Sequence, residues 1–162
     1  MTAALTVLTM VCLGYIALQD FKERKVYWWL FPLTMLLLGL IHFLNTVEPW
    51  VFLSYISLNA SFVSLIICTL YIFTRTIAKK KFLDYSLGLG DILFFYAFAL
   101  GFPTFTFVIL FSNAILFALL VFLVFKKKLR LKTVPLAGLM GAFLILVFGY
   151  SLIFISPPLY GY

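Results

Sequence analysis

The chain alternates between long apolar runs and short polar ones. No charge occurs from Met1 to Leu18, and that stretch is a first span, since a helix needs about 20 apolar residues to cross a bilayer. It lacks a basic start and a small-residue cleavage site, so it reads as a retained span and not a cleaved signal. Tyr27–Leu44 is a second span and Trp50–Thr74 a third. Ile92–Phe125 carries no charge anywhere. As one helix it would run about 50 Å, against a hydrocarbon core of about 30 Å. The "GFPT" at 101–104 breaks it, because Gly and Pro together mark a turn. Two spans are therefore expected there, the fourth starting near Leu87 and the fifth ending at Phe125. Thr133–Ile155 is the sixth.

Composition turns the pattern into a class. The chain has 162 residues, of which 65% are hydrophobic and 10% charged. A soluble domain is about a quarter charged. The expectation is an all-α, polytopic membrane protein with six transmembrane helices. Residues 1–162 then form a single membrane-embedded domain, with no room for a soluble one.

Charge orients it. The 12 Lys and Arg lie in alternate loops: Lys22, Arg24 and Lys25 after the first span; Arg75, Lys79, Lys80 and Lys81 after the third; Lys126, Lys127, Lys128, Arg130 and Lys132 after the fifth. Basic loops stay in the cytoplasm, so six spans put both termini outside. The net charge of +7 is a topology signal of loops facing anionic lipid, and no nucleic-acid partner is expected.

Little else in the chain carries chemistry. Cys12 and Cys68 fall inside spans, without a Cys or His at metal-ligand spacing. Both are expected to be buried small hydrophobes. His42 is alone and on the outer side, an interfacial or hydrogen-bonded histidine. No metal and no cofactor is expected. The aromatic residues, 20% of the chain, are expected to be mostly lipid-facing bulk and interface anchors, with Trp28, Trp29 and Trp50 at span ends.

The chain has five acids. Glu48 lies in the outer "NTVEP" loop and is expected to be solvated. Glu23 and Asp84 sit beside basic residues, where an acid is a local ion-pair partner. Asp20 and Asp91 differ. One follows an apolar run directly and the other precedes one, and topology brings both to the cytoplasmic boundary. An acid at a membrane is expensive and points to function. Two acids at one depth on different helices can meet. Carboxylates about 3 Å apart cannot both ionise and share a proton. The ionised one can take a proton from water while the protonated one polarises a peptide carbonyl. Gly88 and Gly90, in "GLGD" at 88–91, carry no side chains, so a substrate backbone or a neighbouring helix can approach Asp91 closely. Taken alone, Gly-x-Gly is equally a loop before a helix.

The same residues carry a family resemblance. "GLGD" matches the G-x-G-D of membrane aspartic proteases. In size and layout the chain resembles the type IV prepilin peptidases and their preflagellin relatives. "DFKERKVYWWL" at 20–30 follows the family's first-aspartate layout, an acid that ends a span and opens a basic loop. "VPLAGLMGA" at 134–142 is similar to the I-P-F-x-P stretch of its last span. The chain departs from the family at Tyr27 and Trp28, where Pro-Asn is usual, at Leu93, where Lys is common, and at Leu136 and Gly138, where Phe and Pro stand. It also lacks the family's optional insert with paired C-x-x-C motifs.

The resemblance implies a peptidase without methyltransferase activity, in a bacterial inner membrane or an archaeal plasma membrane. Its catalytic pair would be Asp20 and Asp91. Its substrate would be a pilin-like precursor with a short basic leader and a hydrophobic helix, cut at the cytoplasmic face. The rival class is a non-enzymatic membrane protein, a small proton or cation transporter or a helix-binding scaffold, that uses the same aspartates.

Overall fold

A computed structural model describes residues 2–23, 25–76, 88–129, 134–154 and 159–160, with the backbone alone for 126–129. The described residues form six α-helices and no strand: α1 (Thr2–Glu23), α2 (Leu30–Leu44), α3 (Pro49–Thr76), α4 (Leu89–Leu100), α5 (Thr104–Leu129) and α6 (Leu136–Phe154). Each expected apolar segment is a helix. α1, α3, α5 and α6 are long and apolar enough to cross a membrane. α2 and α4 are shorter, with 15 and 12 residues. At 1.5 Å per residue they reach about 22 and 18 Å, less than the hydrocarbon core. The architecture is that of a multi-pass membrane protein in which four full-length helices accompany two short ones.

Local chemistry sets the helix ends. Pro49 opens α3, where its missing N–H costs nothing. The "GFPT" turn falls where the sequence put it. α4 stops at Leu100, the Gly101 N–H closes on the Phe98 carbonyl at 3.0 Å, and the Pro103 carbonyl accepts the Phe107 N–H at 2.8 Å. The α1–α2 connection is tied back by Gln19, whose side-chain oxygen accepts the Tyr27 N–H at 3.1 Å.

The interior is aromatic. Phe94, Phe98, Phe102, Phe107, Phe111 and Phe148 are fully buried. Phe98 meets Phe111 edge to face at 5.6 Å, and Phe95 meets Phe111 at 5.0 Å. Other aromatics, Tyr15, Tyr71, Phe105 and Phe154 among them, are exposed on the outside as expected, so the interior takes only part of the aromatic complement. Lipid is as apolar as a phenyl ring, so burial in a membrane follows shape and packing, and flat rings interlock at well-defined angles. Trp28 and Trp50 do stand exposed at helix ends, at 73% and 77%. Cys12 is buried as expected, whereas Cys68 is exposed on the outer face of α3. α3 buries little of itself, so even an uncharged residue there faces outward.

Candidate active site

Asp20 lies in the last turn of α1 and Asp91 in the first turn of α4. Both are half-buried. The backbone of α6 brings them together. The first N–H groups of a helix have no partner inside it, and in α6 two of these face the aspartates. The Ala137 N–H donates to Asp91 Oδ1 at 3.0 Å. The next amide, that of Gly138, donates to Asp20 Oδ2 at 2.7 Å. The first bond within α6 follows one residue later, from the Leu139 N–H to the Pro135 carbonyl at 3.0 Å. Consecutive amides of one helix terminus thus hold two carboxylates that reach it from two other helices. The partial positive charge at a helix N-terminus stabilises anions there.

Asp91 is held a second time. Its Oδ2 accepts the Gly88 N–H at 3.2 Å. Gly88 is the N-cap of α4, and Asp91 is the third helical residue, so the acid reaches back as in a capping box. Glycine has no side chain to complete the reciprocal half. With one oxygen on α6 and the other on its own helix start, the Asp91 carboxylate is fixed in plane and direction.

The two motif glycines act through closeness. The backbone at Gly88 is extended, with φ −74° and ψ 152°, which any residue can adopt. A Cβ there would lie 3.3 Å from Asp91 Oδ2. A Cβ on Gly90 would lie 3.1 Å from Cζ of Phe31. The space beside Gly90 is therefore taken by a neighbouring helix, α2, the second of the two approaches its bareness allows.

In the sequence Gly138 is only a departure from a motif, and in the fold it is the tightest of the three. A Cβ on it would lie 3.0 Å from both the Cβ and Oδ2 of Asp20, and 3.4 Å from the Cα of Ala17. No other side chain lets α1 and α6 approach this closely without a shift. The signal for it was the run of small residues in "LAGLMGA", where helices in membranes come into contact.

The remaining sequence candidates separate from this centre. Glu23 and Glu48 are exposed. Asp84 lies outside the described residues. Leu93, where the resembled family has Lys, packs against the hydrophobic core. His42 is fully buried in the fold, with Nδ1 2.9 Å from the Leu100 carbonyl at the far end of α4 from Asp91. Among the described residues no three His, Cys, Asp or Glu side chains gather as the ligands of a metal would.

The fold and the site together define an all-helical membrane protein with a carboxylate pair on the start of one helix. No protein-family model matches the chain, and no curated protein or solved structure matches it.

Proposed function

We propose that this chain is a membrane aspartic endopeptidase of the prepilin-peptidase type. One observation carries the reading: Asp20 and Asp91, far apart in sequence and on different helices, accept hydrogen bonds from consecutive amides of α6. Two carboxylates that meet at neighbouring amides can hold one proton between them. The ionised carboxylate takes a proton from water as the water oxygen attacks the peptide carbonyl carbon. The protonated carboxyl gives its proton to the carbonyl oxygen. The tetrahedral intermediate then collapses, the C–N bond breaks, and the leaving nitrogen takes up a proton from the pair. The backbone amides hold the pair ready, so little reorganisation is needed at the moment of reaction.

By its resemblance to the family, the substrate is a pilin-like precursor whose basic leader is removed from a hydrophobic helix at the cytoplasmic face. The enzyme would reside in a bacterial inner membrane or an archaeal plasma membrane, and would act without a cofactor.

The experiment is incubation of a pilin-like precursor with the purified protein in detergent. The leader is expected to be released by the native chain, and by neither Asp20→Asn nor Asp91→Asn. Members of a catalytic unit are non-additive, so each single change should cost about as much as the double change. Asp84→Asn should cleave near the native rate. Full cleavage by Asp91→Asn would overturn the reading.

A second reading has an observation of its own. Carboxylates on the amides of α6 also serve to fasten helices, as in a scaffold or a carrier. That reading expects aspartate-dependent ion flux or helix binding, and no proteolysis.

A further inference from the structure

The end of α4 opposite Asp91 is gripped by two polar side chains to which the catalytic reading gives no role. A helix leaves its last carbonyls without partners, and inside a membrane no water is there to satisfy them. In α4 these carbonyls are met from two sides. Nδ1 of His42, from α2, lies 2.9 Å from the Leu100 carbonyl. A carbonyl only accepts, so Nδ1 carries the proton. Nδ2 of Asn59, from α3, donates to the Ala99 and Phe102 carbonyls, both at 2.9 Å.

Both side chains are locked in place. The His42 ring stacks on Tyr55 at 6.0 Å and takes the edge of Phe52 at 5.0 Å. Asn59 is fully buried and spends both amide hydrogens on the grip. Its Oδ1, and Nε2 of His42, have no hydrogen-bond partner among the described residues. Each side chain leaves one polar atom buried and unpaired in order to hold α4. A side chain placed only to fill the core would be apolar.

α4 is short: the gripped turn and Asp91 are the two ends of one 12-residue helix. A rotation or slide at Leu100 is passed along that rod to Asp91. We propose that His42 and Asn59 are positioning residues for Asp91. By holding the far end of α4 they set the depth and rotation at which the Asp91 carboxylate meets the Ala137 amide. The inference rests on the reading of Asp91 as half of a catalytic pair, and its test has a readout that does not depend on catalysis.

The readout is hydrogen exchange at the amides of Ala137 and Gly138, measured by NMR on the full chain in micelles. Neither amide has a partner within α6, so each reports on its own aspartate. In His42→Phe and Asn59→Leu, exchange at Ala137 is expected to rise about tenfold, as for loss of one good hydrogen bond. Exchange at Gly138, held by Asp20 from α1, is expected to stay unchanged. His42→Gln keeps a side-chain donor and should restore protection at Ala137. Leader cleavage in the same variants should lose kcat with KM retained, because the substrate contacts stay in place.

Unchanged exchange at both amides would overturn the proposal, and so would an equal rise at both, which signals general loosening. Should Asn59→Leu fail to insert, Asn59→Ser carries the same comparison with the smaller change. Failure of the native chain to cleave any precursor would count against the protease reading, while the contrast between Ala137 and Gly138 still decides the positioning.

Discussion

A single methyl group at position 138 has nowhere to go. It would press on the Cβ and Oδ2 of Asp20, 3.0 Å away. Contacts that short must be relieved, and the neighbours are a helix backbone and the carboxylate itself. Gly138→Ala is therefore expected to push Asp20 off the amide it accepts from. A misplacement of about 1 Å in a catalytic group can cost about a hundredfold in rate; relief here takes a few tenths of an ångström, so cleavage should fall clearly but by less than that. The measurement is the cleavage rate beside the Gly138 amide exchange. Gly141→Ala is the control, since a Cβ there meets nothing closer than 3.5 Å. Equal rates in the two variants would contradict the role given to Gly138. The aspartates themselves were legible, because an acid at the edge of an apolar run stands out. The groups that hold them were not. Backbone amides have no letter of their own, and only the fold shows which helix start they belong to.

At the scale of elements, apolar run length decided where helices lie, and one Gly-Phe-Pro turn decided where a continuous run breaks. Both transferred directly from sequence to structure. The buried aromatic core did not. In a soluble protein hydrophobic residues mark the inside, but here both inside and outside are apolar, so composition cannot tell Phe98 from Leu123. Contacts make the difference: Phe98 is fully buried among Phe94, Phe102, Phe107 and Phe111, while Leu123 is exposed. Phe98→Ala should leave a cavity between α4 and α5 and cost about 3–5 kcal/mol. Leu123→Ala should cost little, for its side chain faces lipid. Thermal unfolding in detergent compares them, and equal Tm values would mean that the aromatic cluster does not hold the bundle.

At the scale of the whole molecule, the site and the charges agree on one end. The hydrogen bonds to α6 bring the C-terminal end of α1 and the N-terminal ends of α4 and α6 together. In the sequence the basic residues follow the first, third and fifth apolar segments, and Lys22, in the last turn of α1, lies at that end of the helix. A basic end is held in the cytoplasm and drawn to anionic lipid by about 1 kcal/mol for each Lys or Arg near the surface. The two aspartates would then work at the inner face, where a precursor made in the cytoplasm presents the junction between its leader and its helix. The expected topology has both chain ends outside, with reporter fusions at Thr46, Ala78 and Leu131 reading outside, inside and inside. An inside signal at Thr46 would turn the molecule over and carry the aspartates to the outer face. A leader peptidase for cytoplasmic precursors could not work from there, so this one fusion tests the proposed substrate as well as the orientation.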